Sequence, residues 1–337
     1  MTALTSIPTI HPELEAELAR RLRVVAERIG RHLTSPIPEV EELCRHVERY
    51  RGKMLRPVLA LLCADATGDT SGVMTEREVT TVGAVVEMIH LATLVHDDVL
   101  DDAETRRGAP TIAKMRSSEV AVILGDFLLS RAYHLCSTLD DQRTALRVGE
   151  VTAAVCEGEM LQLVKRGHSD LDEDTYYTIV ERKTAALIAV ACELGAKHAG
   201  ADAQTSQRMY DFGRDLGVAF QIQDDLLDLV GEERVVGKTL GKDIEMGKVT
   251  LPVLHHLAHC DATQKAELTT LIRAQVPLNG ERRTIVDRLH ATGSVEYAKK
   301  AASDLVERAK ARLMALPDSD ARDQLLLMAD QVVRREA

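Results

Sequence analysis

Two groups of aspartates share one spacing, Asp-Asp-x-x-Asp. They are Asp97-Asp98-x-x-Asp101 and Asp224-Asp225-x-x-Asp228. On a helix, residues three or four positions apart lie on one side, where like charges destabilise the helix unless a counterion is present. Carboxylate oxygens suit Mg²⁺, which proteins hold with a few carboxylates and substrate phosphates. One such group is more often a solvated acidic face, but two copies that each end an apolar segment predict a metal site to which both contribute.

Basic residues that can receive an anion occur at several points along the chain. Lys53 and Arg56 are three positions apart at a predicted helix start, and Arg106 and Arg107 follow the first aspartate group. Lys183-Thr184 lies within an apolar segment, where an unpaired ammonium group is costly. Arginine offers a fork that matches phosphate, and lysine offers a point charge. Each residue alone is more often a surface residue, but together they predict an anion-binding site.

The elements that must position these residues are helices. Apolar residues recur at three- and four-residue steps, and no alternating strand pattern is bounded by tight turns. Prolines fall near the ends of the periodic segments, where helices begin or end. The segments cover residues 14–29, 54–66, 76–102, 118–139, 142–164, 174–199, 203–230, 250–258 and 295–316. The sequence predicts an all-α protein that forms one compact domain over residues 1–337.

One segment, residues 230–248, interrupts this helical pattern. It contains Gly231, Gly237, Gly241 and Gly247, a glycine density that argues against a continuous helix. Lysines follow three of these glycines, at positions 238, 242 and 248. We therefore predict a mobile, glycine- and lysine-rich flap.

Composition narrows the class of protein. The net charge of −11 argues against nonspecific nucleic-acid binding, because no positive field attracts phosphate. The six cysteines form no Cys-x-x-Cys pair and are expected as free thiols in a reducing compartment. The first residues do not resemble a signal peptide, and we expect no membrane span, since no stretch approaches about 18 apolar residues. The expected location is the cytoplasm.

The motifs resemble those of the trans-isoprenyl diphosphate synthase (polyprenyl synthetase) family, in the family's order, over about residues 45–255. The matching segments are Gly52-Lys53-x-x-Arg56-Pro57, the two aspartate motifs, Arg106-Arg107-Gly108, Lys183-Thr184, Phe220-Gln221 and Gly237-Lys238 with Asp243 and Lys248. One departure is Arg51, where the family commonly has a second glycine. The resemblance implies an isoprenoid-synthase-type helical bundle around a central cavity, usually a homodimer. Such an enzyme joins isopentenyl diphosphate head-to-tail to an allylic diphosphate such as farnesyl or geranyl diphosphate.

The resemblance also implies roles for individual residues. Three Mg²⁺ ions on the allylic diphosphate would be held by Asp97, Asp98, Asp101, Asp224, Asp225 and Asp228. The allylic diphosphate itself would contact Arg106, Lys183, Lys238 and Lys248, and isopentenyl diphosphate would contact Lys53, Arg56, His90 and Arg107. Thr184 and Gln221 would lie near the reacting carbons, which makes Lys183, Thr184, Gln221 and Lys238 the candidate catalytic group. This agrees with the chemistry, because a diphosphate leaves only when its charge is neutralised.

Product length is expected to depend on the helix before the first motif. Ala92 and Thr93 stand five and four residues before Asp97, where short-chain family members carry bulky aromatics. The preceding turn offers Met88 and Ile89, and one helical turn rises about 5.4 Å, close to one isoprene unit. We predict a deep tunnel and a product longer than C20, in the range of about C30–C50 by family resemblance. The alternative is that a residue on another helix sets the floor.

Several other functions fit part of this pattern. The alternatives are a geranylgeranyl (C20) diphosphate synthase and the catalytic half of a synthase that needs a small second subunit. A class I terpene cyclase shares the first motif, but its second metal motif usually contains Asn, Ser or Glu. A non-catalytic partner subunit typically loses motif aspartates, and all six are present here. A calcium-buffering helical protein would not need the lysines and arginines.

Overall fold

In a computed structural model, residues 11–68, 70–168, 171–231, 240–278 and 280–334 are described. The helices are α1 Pro12–His32, α2 Pro38–Val47, α3 Leu55–Thr67, α4 Val73–Leu100, α5 Ile112–Met115, α6 Ser118–Cys136, α7 Gln142–Lys165, α8 Glu173–Val180, α9 Ala186–His198, α10 Ala203–Val230, α11 Lys242–Glu245, α12 Leu251–His259, α13 Ala262–Ala274, α14 Arg282–Ala291, α15 Ser294–Leu313 and α16 Asp320–Val333. The remaining elements are a 3₁₀ turn Glu48–Tyr50, a π turn Glu181–Ala185, and strands β1 Thr105–Arg106 and β2 Ala109–Pro110. The predicted all-α class is confirmed.

The chain divides into two compact units. Unit 1 comprises the described parts of Met1–Thr152, Leu187–Tyr210 and Met314–Leu327. Unit 2 comprises those of Ala153–Ala186, Asp211–Leu313 and Met328–Ala337. The first aspartate motif therefore belongs to unit 1 and the second to unit 2. A single domain over the whole chain stays a prediction.

Unit 1 is built around α4, which packs against α1, α3 and α6. The residues of α4 from Val79 to Ile89 are all buried, as expected for a helix that is apolar on every side. Small residues let its neighbours come close: a Cβ at Gly83 would lie 3.4 Å from Val25 and 3.5 Å from Pro57. This packing fixes α4 and with it the C-terminal turn that carries the first aspartate motif.

The apolar character of α4 corrects one expectation from the sequence. By length and composition, Val73–Leu100 is able to cross a membrane, so the expectation that no stretch approaches a span is wrong. However, 78% of its apolar window is buried inside the structure. This burial is that of a core helix of unit 1.

In unit 2, α12 packs against α8, α14 and α15. A buried carboxylate ties α15 to α10, the helix that carries the second aspartate motif. Asp215 on α10 is 1% exposed and accepts hydrogen bonds from Arg308 at 2.8 Å and from Arg312 at 3.1 Å. Because an unpaired charge in this position would be costly, these arginines fix where α10 lies within unit 2.

Candidate active site

The first aspartate motif lies at the C-terminal end of α4. Asp97 and Asp101 are half-buried, whereas Asp98 is fully buried. The Asp98 Oδ1 atom accepts a hydrogen bond from Arg106 Nε at 2.7 Å and pairs with Arg106 Nη2, also at 2.7 Å. Asp97 and Asp101 thus lie on the accessible side of the helix, while Asp98 holds Arg106. All three stay predicted metal ligands, and Asp98 has this second role besides.

A short hairpin after α4 carries Arg106 and Arg107. Strand β1 pairs antiparallel with β2. Both residues of the connecting turn have positive φ, 52° at Arg107 and 76° at Gly108, as a type I′ turn requires. This hairpin was not predicted from the sequence, because Arg-Gly is not one of the dipeptides that usually indicate such a turn. The Arg106 guanidinium also lies 5.9 Å from the ring centre of Tyr50.

The Arg107 guanidinium packs against Gly52, in the loop before α3, where the missing side chain leaves space for it. A Cβ at Gly52 would lie 2.1 Å from Arg107 Nη2, so any larger residue must displace the guanidinium. Arg51, which stands where the family commonly has glycine, pairs with Glu48 at 2.9 Å. The side chain of Lys53 is exposed. The structure therefore brings Arg107 to the loop that also carries Lys53.

A buried carboxylate that the sequence analysis did not identify lies in the field of these arginines. Glu87 on α4 is 2% exposed, and burial raises its pKa although Arg56, Arg51 and Arg107 oppose the rise. Burial also lowers the pKa of Arg56. His90 has its pKa held well below the ordinary value by burial and by arginines that include Arg56 and Arg107. His90 is therefore neutral at pH 7 and offers hydrogen bonds without adding charge.

In unit 2, Lys183 and Thr184 lie in the π turn Glu181–Ala185. Such turns are rare and are frequent at functional sites. Helix α7 comes very close at this point, since a Cβ at Gly158 would lie 2.5 Å from the backbone nitrogen of Lys183. The Lys183 ammonium forms an ion pair with Glu159, which also lies on α7. Within unit 2, α7 thus fixes both the backbone and the side chain of Lys183.

Gly158→Ala is expected to destabilise the protein by about 1–3 kcal/mol, the usual cost of overpacking. The added methyl group would meet backbone atoms of the π turn, which cannot rotate away as a side chain can. Gly149→Ala on the same helix is the matched control, because no described atom lies within 4 Å of its Cβ position. That substitution should stabilise the helix by about 0.5–1 kcal/mol. Denaturant unfolding of both variants tests the difference, and equal stability would contradict the close approach.

A chain of hydrogen bonds connects Thr184 to the second aspartate motif. Thr184 Oγ1 donates to Gln221 Oε1 at 2.9 Å, and Gln221 Nε2 donates to Asp225 Oδ1 at 2.8 Å. The Tyr176 hydroxyl donates to Asp225 Oδ2 at 2.7 Å. Burial and the nearby charge of Asp243 raise the pKa of Asp225. The structure thus brings Thr184 and Gln221 together, and it adds Tyr176, which the sequence analysis did not identify.

The other two aspartates of the second motif differ in their surroundings. Asp224 is half-buried, whereas Asp228 is 2% exposed. The Asp228 Oδ2 atom accepts a hydrogen bond from the backbone N–H of Asp243 at 3.1 Å. The backbone carbonyl of Asp228 accepts a hydrogen bond from the N–H of Gly241 at 2.7 Å. Asp228 therefore anchors the chain just before and within α11. Its predicted contact with a metal ion stays a prediction.

A cavity of about 110 Å³ within unit 2 collects many of these groups. Its polar lining includes Lys165, Lys183, Lys248, Thr184, Gln221, Asp225 and Asp243. Ammonium groups beside carboxylates suit a ligand that brings both phosphate and metal ions. Lys165 is a further cation that the sequence analysis did not identify. Lys238 lies outside the described residues, as do the other residues of segment 232–239 of the predicted flap.

The four residues predicted to control product length differ in exposure. Ala92, Met88 and Ile89 are fully buried. Thr93 is half-buried, and its hydroxyl donates to the His90 carbonyl at 2.8 Å. Among these four, Thr93 is therefore the residue that borders accessible space.

Carboxylates beside arginines in unit 1, and carboxylates beside lysines in unit 2, define a class of protein. In general, carboxylates can hold a divalent cation and basic residues can hold phosphate, and such groups together neutralise a departing diphosphate. On an all-helical scaffold with two Asp-Asp-x-x-Asp motifs, these groups define a prenyl-transferring enzyme. The chain belongs to the polyprenyl synthetase family, whose model matches residues 37–289.

Comparison with known proteins supports this assignment over almost the whole chain. A short chain isoprenyl diphosphate synthase from Methanothermobacter thermautotrophicus is 35% identical, over 92% of this chain and 95% of the relative. An octaprenyl diphosphate synthase from Escherichia coli is 32% identical, over 94% and 97% respectively. The crystal structure of a polyprenyl synthase from Caulobacter crescentus, complexed with calcium and isoprenyl diphosphate, has a TM-score of 0.88 at 31% identity and covers 96% of this chain and 97% of its own. The predicted family, fold and enzyme class are confirmed.

Proposed function

We propose that the protein is a magnesium-dependent trans-polyprenyl diphosphate synthase whose product is longer than C20. The names of its relatives range from short-chain to octaprenyl synthases, so family membership leaves the length open. The observation that carries the proposal is that α4 contains no Phe, Tyr or Trp. The turns before Asp97 therefore offer none of the bulky apolar rings that could end the growing chain.

The donor groups fit a hard divalent cation. Asp97, Asp101 and Asp224 are half-buried carboxylates, which leave room for the water and phosphate oxygens that Mg²⁺ keeps. The calcium in the Caulobacter crescentus structure is a cation of the same ligand preference. When bound, magnesium supplies charge neutralisation of the diphosphate. We expect three ions per site, as the family resemblance implies.

The basic residues divide between the two substrates. We assign the allylic diphosphate to Arg106, Lys183 and Lys248, together with Lys238, and isopentenyl diphosphate to Lys53, Arg56, His90 and Arg107. As the allylic C–O bond breaks, its electron pair leaves with the diphosphate. The double bond of isopentenyl diphosphate then attacks the allylic cation, and the proton that the resulting cation loses passes to the departed diphosphate. Thr184 and Gln221 lie near the reacting carbons in this assignment.

We also propose a homodimer that works in the cytoplasm without a second type of subunit. Val122 and Ile123 on α6 are 41% and 67% exposed, and a second copy of the chain would cover such apolar residues. The six cysteines, all within the described residues, are free thiols, which fits a reducing compartment. Sedimentation of the purified chain measures its oligomeric state.

The test is to incubate the purified chain alone with labelled isopentenyl diphosphate, Mg²⁺ and either farnesyl or geranyl diphosphate, and then to size the dephosphorylated products. Products beyond C20 would support both the enzyme and its independence from a partner. A stop at C20 would keep the enzyme and make it a geranylgeranyl diphosphate synthase. Absence of incorporation with either primer would contradict the activity of the chain alone.

Thr93→Phe is expected to shorten the product by one or more isoprene units. Thr93 borders accessible space, so an aromatic ring at this position would block the path about one helical turn from Asp97. Thr93→Val, which adds no ring, is the matched control and should leave the length unchanged. Chromatography of the dephosphorylated products measures the length. An unchanged product from Thr93→Phe would place the floor on another helix.

A further inference from the structure

Tyr176 is a buried tyrosine to which the proposed reaction assigns no role. It is 4% exposed, lies on α8 and borders the cavity of unit 2. Its hydroxyl donates to one oxygen of Asp225, and the Gln221 amide donates to the other. Both carboxylate oxygens of Asp225 therefore accept hydrogen bonds from protein groups.

These hydrogen bonds have a fixed direction. Both Asp225 oxygens accept hydrogen bonds in the structure, and only the NH₂ group of an amide donates, so the Gln221 amide turns its NH₂ group toward Asp225. Its carbonyl oxygen then faces Thr184, and because a carbonyl only accepts, the Thr184 hydroxyl must donate to it. The single hydroxyl proton of Thr184 is thus used in the hydrogen bond to Gln221. The hydroxyl oxygen keeps its lone pairs and acts as an acceptor toward the cavity that it lines.

We propose that Tyr176 is a positioning residue, which holds the Asp225 carboxylate so that Gln221 and Thr184 keep these orientations during the reaction. Without the Tyr176 hydroxyl, one oxygen of an almost fully buried carboxylate loses its donor, and the carboxylate rotates to find another. The Gln221 amide is then no longer held in one orientation, and the Thr184 hydroxyl is no longer held as a donor to Gln221. The proposal rests on the proposed function, which places Thr184 and Gln221 near the reacting carbons.

The kinetic test compares Tyr176→Phe with Tyr177→Phe. The ring of Tyr177 lies 5.6 Å from that of Tyr176, and no hydrogen-bond partner of its hydroxyl is seen in the described residues. We expect Tyr176→Phe to lower kcat about tenfold, the effect of losing one charge-assisted hydrogen bond in the reacting complex, while KM for both substrates changes less than about threefold. Tyr177→Phe should leave both constants unchanged. Equal kcat in the two variants would overturn the proposal.

A double-substitution cycle separates positioning from a general loss of stability. Thr184→Val keeps the shape of the side chain and removes the hydroxyl. If Tyr176 acts through Thr184, adding Tyr176→Phe to Thr184→Val should change kcat less than about twofold, because the coupled effect is already lost. A tenfold further loss in the double variant would show that Tyr176 acts independently and would overturn the proposal.

A crystal structure of Tyr176→Phe decides the question without an activity assay. Rotation of the Gln221 amide, or a Thr184 hydroxyl that leaves Gln221, supports the proposal. A Thr184–Gln221 hydrogen bond that stays at 2.9 Å with Asp225 unmoved overturns it. If the unaltered protein forms no polyprenyl product, the proposed function fails, and this structure still tests the role of Tyr176.

Discussion

Asp98→Asn is expected to destabilise the protein by about 3–5 kcal/mol and to lower kcat/KM at least about 100-fold. Asparagine has nearly the same shape, so the substitution makes no cavity and removes only the charge. Because Asp98 is fully buried, Arg106 then loses its anionic partner at 2.7 Å, and the arginine no longer stays in the position from which we propose that it binds the allylic diphosphate. Denaturant unfolding and steady-state kinetics measure the two effects.

Asp102→Asn is the matched control for this prediction. Asp102 is exposed, and its φ of 47° is a left-handed conformation that asparagine adopts readily. We expect this variant to match the unaltered protein in stability and activity. Equal stability of the Asp98 and Asp102 variants would contradict the role of the Asp98–Arg106 pair.

The magnesium dependence of the Asp98 variant separates its two assigned roles. If Asp98 acts mainly by holding Arg106, KM for the allylic diphosphate rises while the magnesium concentration for half-maximal rate stays the same. If Asp98 also ligates magnesium, that concentration rises as well. The buried position of Asp98, compared with the half-buried Asp97 and Asp101, leads us to expect the first result.

The long helices were predictable because each has a large apolar surface to bury. α4 and α10 showed clear helical periodicity, and the structure confirms both. α13 and α14 were missed because their apolar signal is small. α13 buries Leu268 and Ile272, and α14 buries Ile285 and Leu289. Two apolar residues in a polar segment do not distinguish a helix from a loop.

The charged groups of the candidate site were predictable because carboxylates and lysines are conspicuous in apolar segments. Glu87 gave the same kind of signal, a lone carboxylate inside the apolar run of α4, and was overlooked. The π turn and the role of Tyr176 gave no such signal. The π turn was predicted as ordinary helix, and its bulge lies where α7 approaches at Gly158. The Tyr176–Asp225 hydrogen bond joins residues 49 positions apart, and no local pattern indicates which distant groups will meet.

Gly52→Ala is expected to raise KM for isopentenyl diphosphate about 10–100-fold, the loss of one charge-assisted contact to phosphate. The added methyl group would lie 2.1 Å from Arg107 Nη2, so the guanidinium must move. Because that atom is the far end of a flexible side chain, and the φ of Gly52 is not positive, the fold should tolerate the change. The kcat and KM for the allylic diphosphate should stay the same. Gly72→Ala, whose nearest neighbour would be Thr75 Oγ1 at 3.5 Å, is the control and should leave all constants unchanged.

The mechanism of this effect is testable with a second substitution. Arg107→Ala removes the side chain that Gly52→Ala displaces, so the two changes should raise KM for isopentenyl diphosphate to similar extents. In the double variant the methyl group at position 52 has no guanidinium to displace, and KM should match that of Arg107→Ala alone. Additive effects would mean that Gly52 acts through the shape of its loop rather than through Arg107. The glycine of the Gly-Lys-x-x-Arg-Pro motif would then position Lys53 and Arg56, which follow it, and would not act through Arg107 of the hairpin.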